Sequence, residues 1–147
     1  MERLPSEQEI NPVPEDLDGQ CAVRNFLGKT RRQIFDEFDE NYYHYTEDLM
    51  FMGSESFCFY LTPAVDFVLT TKSRGYASLI HVMTLTLQHR LEWDDEIAAA
   101  LPDIIRYSRY VLEHYDAFEI DPVIRGDLRP ILHDMILFSG GSHSSKM

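Results

Sequence analysis

Between Gln33 and Thr71 the chain has no lysine or arginine. Other residue types are scarce in ways that also exclude things. There are only two cysteines, Cys21 and Cys58, so a disulfide scaffold is ruled out. Cys58 sits within Phe57-Cys58-Phe59-Tyr60, where a thiol reads as a small buried hydrophobe. No apolar run approaches the roughly 18 residues that a membrane-spanning helix requires. Met1-Glu2-Arg3-Leu4-Pro5-Ser6-Glu7 lacks the charged and apolar regions of a signal peptide. The expectation is a soluble, cytoplasmic protein with no membrane partner.

Catalytic signatures are missing as well. Ser54 and Ser56 flank Glu55 without a Gly-x-Ser-x-Gly elbow. Neither cysteine has an adjacent cation in sequence to lower its pKa. Gly28-Lys29-Thr30 has the ending of a phosphate-binding loop, but Val23 stands where that loop needs its first glycine. Thr30 reads instead as a helix cap. His133-Asp134 resembles the His-Asp pair of HD phosphohydrolases, yet no acidic residue follows Asp134 to complete a metal site. His133 is expected to pack against neighbours of the last helix. No catalytic residue and no cofactor is expected.

What the chain does have is negative charge. Its 147 residues suffice for one domain with a genuine core, and its formal charge is −12. Nucleic acid rewards clustered Lys and Arg, and the one basic patch here is Arg24, Lys29, Arg31 and Arg32. Nucleic acid is therefore not an expected partner. The basic-free stretch holds Asp36, Glu37, Asp39, Glu40, Glu47, Asp48, Glu55 and Asp66, interleaved with Tyr42-Tyr43-His44-Tyr45. A one-signed field beside aromatic side chains suits the capture of a basic partner.

Helical periodicity dominates. Residues 1–18, with Pro5, Pro12 and Pro14 among acids, read as a flexible acidic arm. Residues 19–138 read as the helical domain, and 139–147, rich in Ser and Gly, as a disordered tail. Thr30 and Gln33 form a capping box opening a helix whose inner face is Ile34, Phe35, Phe38 and Tyr42. Thr46 or Ser54 is expected to cap the next helix, and Pro63 to begin or kink another after Thr62. Residues 76–91 fit either a helix or an alternating strand, and the pattern over four turns favours helix. Asp94-Asp95-Glu96 is expected to start a helix that Pro102-Asp103 restarts. Asp121-Pro122 caps a short helix that ends at Gly126-Asp127. The last helix, apolar almost all round, must be buried in the fold or in a partner, such as the second copy of a homodimer. The fold class is thus all-α: a compact single-domain bundle of about five to seven helices, several short or proline-interrupted, with flexible N- and C-terminal tails.

Three stretches carry a resemblance: Phe26-Leu27-Gly28-Lys29-Thr30, Tyr45-Thr46-Glu47-Asp48-Leu49-Met50-Phe51-Met52, and Phe57-Cys58-Phe59-Tyr60-Leu61-Thr62-Pro63-Ala64. Over residues 22–70 the chain resembles a family of small, acidic bacterial proteins of unassigned function. Cys58, and Thr62 interposed before Pro63-Ala64, depart from that pattern. The resemblance implies a bacterial cytoplasmic helical protein and brings no activity with it.

Two functional readings follow. In the first, the chain is a protein–protein interaction module, of which an immunity- or antitoxin-like inhibitor is one example. It binds a basic protein through Asp36, Glu37, Asp39, Glu40, Tyr43, His44, Tyr45, Glu47 and Asp48. Tyr43 and Tyr45 are expected to be at least half exposed. In the second, a small enzyme or ligand-binding protein uses Asp36, Glu40 and His44 at i, i+4 and i+8, with His81 or His114, as metal ligands.

Overall fold

The computed structural model describes residues 3–139. Among them every regular element is helical. Eight α-helices follow in order: α1 (Glu7–Ile10), α2 (Leu17–Phe26), α3 (Arg31–Phe51), α4 (Ser54–Val68), α5 (Ala77–Trp93), α6 (Leu101–Glu113), α7 (Pro122–Arg125) and α8 (Arg129–Ser139). Short 3-10 turns lie at Thr71–Ser73, Ala98–Ala100 and Tyr115–Phe118. None of the described helices is long and apolar enough to cross a membrane.

α4 is central because it carries few charges. Phe57, Tyr60, Leu61, Ala64, Val65, Phe67 and Val68 are all buried. α3 packs against α2, α4 and α5, while α6 packs against α4 and α8. Together these helices enclose one core, so the described residues form a single compact all-α domain. Each fully buried aromatic or aliphatic side chain there contributes about 1.5–3 kcal/mol.

Pro63 neither starts a helix nor breaks one; α4 runs through it. Proline has no N–H, so the carbonyl one turn earlier, that of Phe59, loses its partner within the helix. Arg31 replaces it: Nε donates to the Phe59 oxygen at 2.9 Å, and the guanidinium lies 4.0 Å from the Phe59 ring centre. Thr62, free of capping duty, donates to Asp103 of α6 at 2.7 Å. Arg31→Ala should cost about 1–2 kcal/mol in urea unfolding. In a Pro63→Ala background, where the helical N–H returns, the same substitution should cost measurably less.

The capping box at Thr30 and Gln33 is present. Thr46 lies inside α3 and donates to the Tyr42 oxygen, so α3 continues to Phe51 instead of ending there. Ser54 is the first residue of α4, not its cap, and its hydroxyl donates to Asp94. Residues 77–91 are helical, as part of α5, and Tyr76 is its N-cap. Asp94 does not open a helix; it terminates α5 and pairs with Arg90, and α6 begins at Leu101 with Pro102 in its first turn. Asp121 caps α7 and Gly126, with φ +73°, ends it.

Both ends of the described chain carry a helix that packs on the rest of the fold. Within the segment read as a flexible arm, Ser6 and Glu9 form a capping box for α1, and Ile10 is fully buried. The Ile10 oxygen accepts from Gly53 N at 3.0 Å, which fixes α1 to the junction of α3 and α4. Asn11 packs so closely on α2 that a Cβ at Gly19 would meet its side chain at 2.0 Å. At the other end, α8 buries Leu132 and Met135 and packs on α5 and α6. His133 is exposed instead of packed, because it lies off the Leu132–Met135 face. The tail from residue 140 onwards lies outside the described residues.

Candidate interaction face

The acidic residues of α3 divide into two groups. The helix is interrupted at Asn41, whose φ of −126° and ψ of 21° are not helical. Before the kink, the basic patch of the α2–α3 turn answers the carboxylates. Arg32 pairs with Asp36 at 3.2 Å across one helical turn, and Lys29 pairs with Glu37 at 3.0 Å. Asp39 accepts from the Tyr76 hydroxyl at 3.2 Å. Burial pushes the Glu37 carboxyl up, but hydrogen bonds from Tyr45 and Lys29 outweigh it and leave the group below its ordinary range.

Two members of the expected face are not on the surface. Tyr45 is 4% exposed and sits edge-on to Phe26 at 5.2 Å. Its hydroxyl donates to Glu37 and accepts from Lys29 at 3.1 Å. Asp48 is 7% exposed and accepts from Asn25 of α2 at 2.6 Å. In sequence both belong to one run of polar and aromatic residues, which suggests a common surface. The helix turns that run through every direction, and positions 45, 48 and 49 face inward with Ile34 and Phe38.

Asp36, Glu40, Tyr43, His44 and Glu47 remain outside. They recur at spacings of three and four, so they follow one solvent-facing stripe of α3 that runs toward the exposed Phe51. Tyr43 is 58% exposed. Glu40 and Glu47 form no ion pair with a described residue.

Beside this stripe, α2 and the second half of α3 bound a cleft of about 470 Å³ lined by Asp18, Cys21, Arg24, His44, Glu47 and Asp48, among others. Arg24 approaches the Cys21 sulfur at 3.7 Å, a neighbour one helical turn away. Burial raises the Asp48 carboxyl to about 6, with Glu47 and Asp18 adding to the rise against the Asn25 hydrogen bond. A carboxyl whose pKa is higher folded than unfolded binds its proton more tightly in the folded state. Its contribution to stability therefore falls as pH rises from about 4 to about 6. Asp48→Asn keeps an acceptor for Asn25 and removes the charge. We expect this variant to be about 2 kcal/mol more stable than wild type at pH 7 and equal to it near pH 4, by urea unfolding at both pH values.

The metal reading gains no geometric support. Among the described residues, no three His, Cys, Asp or Glu side chains come together at ligating spacing. Asp36 is already engaged with Arg32. His81 lies against Arg125 at 3.1 Å, and burial, then that cation, lowers its pKa. His114 stacks on Tyr110 at 4.1 Å between ring centres.

Comparison with protein-family models, with curated proteins and with solved structures finds no match.

Proposed function

We propose that the protein is an interaction module that binds a basic protein through the exposed stripe of α3. Exposed Tyr43, between two carboxylates that form no ion pair with a described residue, carries this reading. An isolated acidic helix face is also what solubility would select, but a solubilising face gains nothing from a large aromatic side chain in water. In a contact, tyrosine supplies apolar area with few rotatable bonds, and the flanking carboxylates steer a cationic surface toward it. Asp36, Glu40, Tyr43, His44 and Glu47 make up the surface. Tyr45, Asp48, Glu37 and Asp39 act behind it, fixing α3 to α2, the α2–α3 turn and Tyr76. An inhibitor of a toxin that acts on nucleic acid is one protein that would use such a surface, because a site that binds phosphates is basic.

The test is affinity capture from source-cell lysate at low and moderate salt, beside a Glu40→Lys/Tyr43→Ala/Glu47→Lys variant. A basic protein held at low salt by wild type alone supports the reading. Capture indifferent to the variant, or no specific capture, overturns it.

A further inference from the structure

A second surface lies beyond that stripe, at the C-terminal end of α3, where α1, the α3–α4 junction and the end of α5 converge. It is a cleft of about 450 Å³. Three large apolar side chains stand exposed along it: Val13 at 54%, Phe51 at 46% and Trp93 at 55%. The carboxylates of Glu9, Glu55 and Glu96 border the same cleft. Arg90 lies in its floor, with its charge committed to Asp94 at 2.8 Å. Apolar walls with an acidic border are repelled by anionic lipid and by nucleic acid, and are complementary to a cation carried beside apolar groups.

The chain displays on itself the group that this border accepts. Arg3 lies 2.9 Å from Glu9 and 3.7 Å from Glu55, yet its side chain is still 72% exposed. Its contact with Glu9 is bidentate, but the contact with Glu55 is open to water on both sides, at 72% and 74% exposed, so that outer pair is weakly held and readily exchanged. Glu96 forms no ion pair with a described residue.

We propose that this cleft docks a basic amphipathic segment of another protein. The apolar side chains of that segment lie against Val13, Phe51 and Trp93. Its arginine or lysine side chains join Glu55 and Glu96 and take the place of Arg3. Arg3 is then an internal competitor, so the N-terminal segment tunes the affinity of the cleft.

Trp93 is the chain's one tryptophan, so its fluorescence reports occupancy of this cleft directly. The probe is a synthetic amphipathic helical peptide with a leucine face and an arginine face, titrated into the full chain. A counterpart carries glutamate in place of arginine. The arginine peptide should shift the Trp93 emission saturably and the glutamate peptide should not. Glu55→Gln/Glu96→Gln should weaken binding about tenfold. Arg3→Ala should strengthen it about threefold, the effect of removing one exposed ion pair. Glu40→Gln/Glu47→Gln, on the α3 stripe, should bind as wild type, which separates this cleft from the proposed α3 surface. Equal response to both peptides, no response, or an affinity unmoved by Arg3→Ala and by Glu55→Gln/Glu96→Gln overturns the proposal.

Discussion

Asp94→Ala is expected to destabilise the fold by about 3–5 kcal/mol, a large cost for one substitution near the surface. Arg90, its partner, has no exposed surface. The guanidinium donates to Asp94 at 2.8 Å, and to the carbonyls of Met50 and Met52 at 3.1 and 2.7 Å. Those carbonyls belong to the end of α3, where the helix itself provides no donors. The cation also lies over the rings of Phe57, at 4.4 Å, and Trp93, at 4.9 Å. One side chain from α5 thus closes the end of α3 and packs on α4. Asp94 holds it in place and also accepts from Ser54 at 2.7 Å and from Glu96 N at 2.9 Å. Removing the carboxylate leaves a cation in the interior with carbonyl dipoles as its remaining polar partners. The double variant Arg90→Met/Asp94→Ala removes that stranded charge and should be more stable than Asp94→Ala alone. Urea unfolding of the variants decides the matter. A cost below about 1 kcal/mol for Asp94→Ala would show that the pair is incidental.

Gly53→Ala is expected to cost about 2–3 kcal/mol, and the sign is the informative part. Gly53 has φ −61° and ψ 157°, a conformation that alanine adopts freely. On backbone grounds alone the substitution would be neutral or stabilising, since alanine has less freedom to lose on folding. Steric contact reverses this. A Cβ at position 53 would stand 2.2 Å from the Glu9 backbone oxygen, which cannot rotate away as a side chain could. α1 must therefore shift, breaking the Gly53 N to Ile10 O hydrogen bond and exposing Ile10. Limited proteolysis should then cut within residues 3–16 much faster than in wild type, along with a lower urea midpoint. Unchanged proteolysis would mean that α1 adds little to the fold.

Several of these contacts show why the sequence discloses the helices better than it discloses the site. The Thr30–Gln33 capping box, the Asp121–Pro122 helix start and the apolar face of α3 are local patterns, and the structure holds each of them. α2 has local signals of the same kind: Asp16 is its N-cap, and Ala22 and Phe26 are one turn apart on its buried face. It is α2 that brings Asn25 to Asp48. Position within the α3 stripe is only half legible. Asp36, Glu40, Tyr43, His44 and Glu47 face solvent. Tyr45 and Asp48 are instead held inside by groups 16 and 23 residues away in sequence. No local pattern announces such partners. The same holds for Arg31, which completes α4 from 28 residues away, and for the aromatic cleft built from Val13, Phe51 and Trp93.

Whether the carboxylates around Tyr43 bind a cationic protein is most directly decided by the dissociation constant of the captured partner. It is measured by titration calorimetry across a salt series, for wild type and for Glu40→Lys/Tyr43→Ala/Glu47→Lys. Affinity should fall steadily with salt. The variant should be at least about tenfold weaker at low salt, with the two converging as salt screens the field. An affinity indifferent to salt, or equal in the two proteins at low salt, would contradict a charge-steered contact at Tyr43.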